Sequence, residues 1–267
     1  MFLSEDQYNS RLKNCNNKYV LIECKDCGQK YLIPLHCGMR TCPECAKRFS
    51  NNLADDMWSI VKDLPITRYK KLRHIVLTFG TEGGLERRVR KAFDAWYKIW
   101  DAHLKGKGNG AFAFLEFGGK NKSVHLHILF YGEYIPYSEL KRWWFERTGK
   151  FIVHISLVQG RSAVAEVCKY VSKGLGEDSE EDYKIEASLF GHRRVRRYGL
   201  FRGKRLIMNR LKCPICGGFS WKRLENGEGK PLVFDASDVR KLKVGLYLLA
   251  FKGAVFEVMA SKRLVIL

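Results

Sequence analysis

The sequence lacks any hydrophobic run that approaches the about 18 consecutive apolar residues of a membrane-spanning helix. It also opens without the basic, apolar and small-residue pattern of a secretory signal. Both absences predict a soluble intracellular protein with no membrane partner. The hydrophobic content of 46% is nevertheless sufficient for a real core.

Acidic residues are scarce, since 28 Asp and Glu stand against 48 Lys and Arg and leave a net charge of +20. The excess is clustered, because nine basic residues and no acid lie between His192 and Lys212. Such a cluster predicts a polyanionic partner, nucleic acid before anionic membrane. Interleaved Tyr198 and Phe201 suggest base stacking on a single strand, the alternative being a solvated basic face. The arginines predicted to contact phosphates are Arg193, Arg194, Arg196, Arg197 and Arg202.

The nine cysteines do not have the spacing of a disulfide scaffold. Six of them form Cys-x-x-Cys pairs, which predict zinc knuckles in an intracellular chain, with a redox pair as the alternative. These pairs are Cys24 with Cys27, Cys42 with Cys45, and Cys213 with Cys216. The first two pairs, fourteen residues apart, predict a closed, structural four-cysteine zinc site, with Cys37 and His36 as further candidates. The third pair needs two more ligands, so it either borrows Cys37 or His36 or binds no metal strongly.

Strict alternation over residues 124–131 predicts a strand with one apolar face and with His125 and His127 side by side on the other. An apolar run over 111–117 contains one acid, Glu116, and a glycine-rich connection predicts that the two runs form a hairpin. Symmetric pairing then places Glu116 opposite His125. Two imidazoles and a carboxylate suit Mg²⁺ or Mn²⁺ acting as a Lewis acid. The alternative is a pair of partly exposed histidines on an open sheet.

Residues 162–175 predict a helix whose apolar stripe leaves Tyr170 and Lys173 together on the opposite side. An ammonium group beside a phenol favours the phenolate, or it steadies phosphate charge. The alternative is a surface Tyr–Lys pair without a role. His74 and His154, in two other predicted strands, are interpreted as ordinary strand histidines, because no partner pattern surrounds either.

Three segments resemble, in the same chain order, the motif set of HUH endonucleases. They are the strand with Leu77-Thr78, then His125-Leu126-His127, and then Tyr170-Val-Ser-Lys173. With no second tyrosine near Tyr170, the chain looks like the one-tyrosine form, which includes rolling-circle replication initiators of plasmids and viruses. The cysteine-rich segment 24–45 is similar to the N-terminus of some such initiators and of related single-strand transposases. No helicase or phosphate-loop motif is present.

The resemblance implies an α+β fold with a central antiparallel sheet and flanking helices, a ferredoxin-like or RRM-like palm, plus zinc-binding modules. The expected domains are a zinc module with its linking helix (1–65), an HUH endonuclease domain (66–205) and a small β-rich region with cysteines (206–267).

The implied activity is metal-dependent nicking and joining of single-stranded or hairpin origin DNA through a 5′-phosphotyrosine on Tyr170, with Lys173 stabilising charge. Mg²⁺ or Mn²⁺ on His125, His127 and Glu116 is the implied catalytic ion, and Zn²⁺ is structural. The expected setting is the cytoplasm of a bacterial or archaeal cell, with a host helicase and polymerase as partners. A single-strand transposase and a non-catalytic zinc-containing nucleic-acid-binding protein are the alternatives.

Overall fold

The computed structural model describes residues 3–118, 123–170, 179–204, 211, 213–235, 246–251 and 254–259. The helices are α1 (Glu5–Asn14), α2 (Pro43–Val61), α3 (Leu85–Ile99), α4 (Tyr137–Thr148), α5 (Gly160–Lys169) and α6 (Ser179–Leu189), and a π-helical turn, Trp100–Leu104, continues α3. The strands are β1 (Lys18–Cys24), β2 (Lys30–Pro34), β3 (Lys71–Gly80), β4 (Gly110–Gly118), β5 (Ser123–Gly132), β6 (Val153–Leu157), β7 (Val195–Gly199), β8 (Trp221–Arg223), β9 (Val233–Asp235), β10 (Leu246–Phe251) and β11 (Ala254–Met259). Among the helices described, none is long and apolar enough to cross a bilayer.

The chain divides into two compact units. The central unit comprises Met1–Ser4 and Met39–Leu206, and the cysteine unit comprises Glu5–Gly38 and Ile207–Leu267. The C-terminal division falls next to the expected boundary at 205, whereas the expected zinc module 1–65 is itself divided after Gly38. Helix α2 belongs to the central unit because its apolar side chains pack in the same hydrophobic cluster as those of α5.

The central unit is built on a five-stranded antiparallel sheet with the order β6-β3-β5-β4-β7. Its chain order β3-α3-β4-β5-α4-β6 is the βαββαβ arrangement of ferredoxin-like folds. The predicted α+β class, with a central antiparallel sheet and flanking helices, is confirmed.

Both faces of this sheet are covered, because successive side chains of each strand enter different hydrophobic clusters. Ile75, Leu126 and Ile128 pack with α3 and α4 on one face. On the other face, Phe114 and Leu129 pack with α2 and α5. His125 and His127 alternate along β5 with Leu126 and Ile128, so they lie on the face that carries α2 and α5.

The cysteine unit has β1 at the centre of its own sheet, with antiparallel pairing to β2, β8 and β9. Strands β10 and β11 form a hairpin, in agreement with the predicted β-rich tail. A small buried cluster in this unit includes Val20, Ile22, Tyr31, Cys24 and Cys213. A core of this size supplies little stability without a metal or another cross-link.

Candidate active site and zinc centre

The predicted hairpin is formed by β4 and β5, and its register is the one expected from symmetric pairing. Glu116 lies opposite His125, and Phe117 lies opposite Val124. Directly paired residues share a face of the sheet. Glu116 therefore lies on the same face as His125 and His127, which confirms the predicted register.

A chain of polar contacts crosses this face from Glu116 to His74. Glu116 Oε2 lies 2.7 Å from His127 Nε2, and His127 Nδ1 lies 2.9 Å from His74 Nε2. Glu116 and His127 are only 8% and 2% exposed, so each polar group needs its partner to offset desolvation. Since an ionised carboxylate only accepts, His127 Nε2 donates to it, while the tautomers of the two rings decide which nitrogen donates between His127 Nδ1 and His74 Nε2.

The interpretation of His74 as an ordinary strand histidine was wrong, because it is the residue that orients the ring of His127. Burial, together with the neighbouring His127 and His154, lowers the pKa of His74 to about 4, against a smaller opposing effect of the Glu116 charge. His74 therefore stays neutral near pH 7. The pairing of β3 with β5, which puts His74 opposite Leu129, was the missing signal.

His125 occupies the next position along the same face, at the end of the sheet near the hairpin connection. Its Nδ1 lies 3.0 Å from the hydroxyl oxygen of Thr78. Its ring passes over Gly118, where a Cβ atom would lie only 2.7 Å from His125 Nε2. The absence of a side chain at Gly118 thus makes room for the imidazole.

Tyr170 is the residue that follows the last turn of α5, and its ring stacks on His127. The ring centroids are 4.4 Å apart with an interplanar angle of 16°, and His74 lies 5.8 Å from the same tyrosine. As predicted, Val164 and Val167 form the buried stripe of this helix. The prediction that Tyr170 lies opposite that stripe was wrong, because its partly buried ring packs against the same hydrophobic cluster. The predicted helix continues to 175, but Lys173 lies outside the described residues.

The donor atoms on this face meet part of the coordination needs of a divalent ion. Two adjacent ligands of an octahedral Mg²⁺, each about 2.1 Å from the metal, lie about 3 Å apart. The 2.7 Å between Glu116 Oε2 and His127 Nε2 is close to that spacing. His125, His127 and Glu116 do not bring three donor atoms within 4.8 Å of one another. The arrangement therefore presents a ligand pair, with a third imidazole farther along the same face.

The basic segment after α6 forms β7 and the turn that follows it. Arg193 and Arg202 are exposed, whereas Arg194 and Arg196 lie over the rings of Phe49 and Phe93, at 4.8 and 4.0 Å from the centroids. Arg197 donates to the backbone oxygen of Lys204. Together with Arg193, Arg196 and Arg202, it lines a groove of about 820 Å³.

The prediction that Tyr198 and Phe201 stack on bases was wrong. Tyr198 is 7% exposed and packs against Trp100, while Phe201 is 1% exposed and stacks on Phe112 at 4.5 Å. Burial raises the pKa of Tyr198 to about 12, as expected for a phenol that belongs to the core. Tyr198 lies in the edge strand β7 and Phe201 in the turn that follows it, and both rings are buried rather than forming a stacking platform.

The cysteine unit brings four cysteines together: Cys24, Cys27, Cys213 and Cys216. Their sulfurs lie within 4.8 Å of one another, and the Cys24–Cys216 and Cys27–Cys213 pairs are each 3.6 Å apart. Tetrahedral zinc with bonds of about 2.3 Å requires sulfurs about 3.8 Å apart. The four thiols therefore fit a closed structural zinc site.

The two halves of this site have the same backbone geometry. Gly28 N donates to Cys24 O and Gly217 N donates to Cys213 O, each at 2.8 Å. Both glycines have positive φ, 72° and 73°, a conformation that strongly favours glycine. The Cys-x-x-Cys-Gly sequence thus folds twice into the same knuckle, which faces its counterpart across the four sulfurs.

Backbone groups also prepare a thiolate at Cys213. Burial raises the pKa of its thiol, but hydrogen bonds from the backbone N–H groups of Cys216 and Ile215, joined by Tyr31 and Cys27, lower it to about 6. The partner of the first knuckle is therefore the third pair, and not the second as the spacing had suggested. Cys37 lies in the cysteine unit, while Cys42 and Cys45 begin α2 in the central unit; their zinc binding stays a prediction.

Comparison with known families gives a match to the transposase zinc-binding domain of the IS91 type, over residues 4–79. This range contains the first two Cys-x-x-Cys pairs, helix α2 and most of β3. No curated protein and no solved structure matches the chain. The chain thus carries a transposase-like zinc-binding segment. Structural zinc is supported both by this match and by the knuckle geometry.

Proposed function

We propose that this protein is a metal-dependent endonuclease that nicks and rejoins single-stranded DNA with Tyr170 as the nucleophile. The observation that carries the proposal is the stacking of Tyr170 on His127, at 4.4 Å, while His127 is hydrogen-bonded to Glu116. A phenol, an imidazole and a carboxylate thus meet on one face of the sheet. A tyrosine nucleophile is activated by a neighbouring base or metal ion, and these groups are of the kind that supply either.

In the proposed reaction, the hydroxyl oxygen of Tyr170 attacks the scissile phosphorus and releases its proton to solvent. The new bond joins the phosphorus to the tyrosine, the bond to the 3′-oxygen breaks, and that oxygen takes up a proton from solvent and leaves as a hydroxyl group. The reverse attack, by a 3′-hydroxyl on the phosphotyrosine, rejoins strands without a nucleotide cofactor. A free 3′-hydroxyl would also serve as a primer for a host polymerase.

Glu116 and His127, with His125 at the open end of the face, are the residues proposed to hold Mg²⁺ or Mn²⁺. Such an ion supplies Lewis-acid polarisation of the phosphate. With an ion on Nε2 in place of the proton shared with Glu116, the ring proton of His127 would lie on Nδ1 and be donated to His74 Nε2, because a metal-bound histidine usually donates its other ring N–H to an acceptor. His74 would position His127 in this way. The hydroxyl of Thr78 holds His125 in the same manner, 3.0 Å from its Nδ1.

Two roles share this chemistry, replication initiation and single-strand transposition. The match of residues 4–79 to a transposase zinc-binding domain favours transposition. The net charge of +20 supports a DNA partner for either role.

The experiment uses the zinc-loaded full chain, Mn²⁺ and a labelled single-stranded DNA pool with a randomised central segment. The expected result is a denaturant-stable protein–DNA adduct and a product with a free 3′-hydroxyl. Tyr170→Phe should abolish the adduct, whereas Tyr137→Phe, at an exposed tyrosine of α4, should retain it. An adduct that persists in Tyr170→Phe, or none with the unaltered chain, refutes the proposal.

A further inference from the structure

The groove beside β7 lies at the edge of the central sheet and has two chemically different walls. One wall is formed by the basic segment and the other by α3 with its π-helical turn. Its volume of about 820 Å³ lies within the range of about 300–1,000 Å³ that is usual for ligand pockets. The basic side chains that line it are Lys105, Arg193, Arg196, Arg197 and Arg202.

The α3 wall presents Asp94, Tyr97 and Asp101, at spacings of three and four residues that place them on one stripe of the helix. Tyr97 is 53% exposed, unlike the neighbouring Trp96 and Trp100, which are buried in the core. An exposed aromatic ring that lines a basic groove is suited to stack on a base. This ring, rather than Tyr198, is the stacking candidate of the basic segment.

The two acids of this wall differ in their contacts. Asp101 forms an ion pair with Lys105 at 2.7 Å. Asp94 is exposed, and no hydrogen bond to its carboxylate is present among the described residues. A carboxylate only accepts hydrogen bonds, so it selects for donors on whatever the groove binds. Cytosine offers such a donor at N4, whereas thymine offers the acceptor O4 at the same ring position.

We propose that this groove binds a single strand of DNA, with phosphates on the arginine wall, and selects at Asp94 a base with an exocyclic amino group. The proposal deepens the proposed function and rests on it for the choice of DNA. Base edges are accessible in a single strand, because they are not paired. The groove would therefore supply sequence preference, while the phosphodiester chemistry takes place at Tyr170.

The test measures binding by fluorescence anisotropy with homopolymers of cytosine, thymine and uracil of about twelve nucleotides, at low salt. The Tyr170→Phe chain is the background, so that no cleavage occurs. Oligo-dC should bind on the order of ten-fold more tightly than oligo-dT. Oligo-dU should bind like oligo-dT, since it lacks only the methyl group.

Asp94→Asn should bring the ratio of affinities close to one, because an amide both donates and accepts. Glu146→Gln, which removes an exposed acid from α4, should leave the ratio unchanged. Tyr97→Ala should weaken all three probes by a similar factor, on the order of ten-fold. Arg202→Gln should reduce the slope of log affinity against log salt concentration by about one counterion. It should not change the ratio of the affinities for oligo-dC and oligo-dT.

Equal affinities for oligo-dC and oligo-dT, or a ratio that survives in Asp94→Asn, would overturn the groove proposal. The adduct assay does not use Asp94, so an adduct that forms without base selectivity refutes only the groove. Conversely, base selectivity without any adduct refutes only the nuclease.

Discussion

The carboxylate of Glu186 holds the segment before the second Cys-x-x-Cys pair against α6. Its Oε2 accepts from Arg40 N at 2.7 Å, from Thr41 N at 3.1 Å and from the Thr41 hydroxyl at 3.3 Å. The guanidinium of Arg40 lies 3.8 Å from its other oxygen. Burial, together with nearby Arg194, lowers the pKa of Arg40 to about 10, while the Glu186 charge acts to raise it.

We predict that Glu186→Ala lowers the free energy of unfolding of the central unit by about 3–5 kcal/mol, the usual loss when one member of a buried ion pair is removed. Two backbone N–H groups and a hydroxyl would lose their acceptor at the same time. Arg40 keeps its bonds to the backbone oxygens of Leu189 and His192, which limits the loss. The matched control is Glu180→Ala on the same helix. That exposed ion pair with Lys184 contributes about 0.5 kcal/mol or less.

Urea unfolding followed by tryptophan fluorescence measures this prediction, because five of the six tryptophans belong to the central unit. A loss below about 1 kcal/mol, or one equal to that of the Glu180 control, would refute the reasoning. It would show that water replaces the carboxylate at little cost, and therefore that the network is not closed to solvent.

Three further changes address the side chains of the proposed catalytic metal site and the zinc site. Gly118→Ala should lower adduct formation about ten-fold or more, because its methyl group would displace an imidazole. Gly84→Ala, whose Cβ meets nothing within 4 Å, should leave adduct formation unchanged. His74→Phe should raise the Mn²⁺ concentration needed for half-maximal adduct formation by about 10- to 100-fold, as expected for loss of an outer-shell hydrogen bond. Cys213→Ser should release one zinc ion per chain in metal analysis and lower the melting temperature of the cysteine unit, while Cys168→Ser, in the central unit, should keep the metal content.

The parts of the fold that the sequence predicts are those that depend on local patterns. Alternation over 124–131 specifies which side chains of β5 face the core, and a slip of one residue would reverse them. A short polar connection then leaves symmetric pairing as the simplest register, which is why the position of Glu116 opposite His125 was predictable. The βαββαβ order follows from the same periodicities.

The parts that the sequence does not predict depend on contacts between distant segments. A Cys-x-x-Cys pair carries no information about its partner, and the partner of Cys24 lies almost 200 residues away. His74 looks ordinary until β3 is known to pair with β5. Tyr198 alternates with arginines whether its ring is exposed for base stacking or buried in the core. Only the contact with Trp100 shows that it is buried.

Burying the polar pair Glu116 and His127 costs desolvation free energy in a sheet whose neighbouring positions, Phe112 and Phe114, are apolar and fully buried. A buried polar pair is often no more stabilising than apolar residues of the same volume, so folding alone does not explain it. We therefore predict that the double variant Glu116→Leu with His127→Phe unfolds with a free energy equal to that of the unaltered chain, or up to about 4 kcal/mol higher, and forms no adduct. Urea unfolding and the adduct assay measure the two effects separately. If the double variant is less stable by more than about 1 kcal/mol, the pair has a structural role and its polarity is no longer evidence for catalysis.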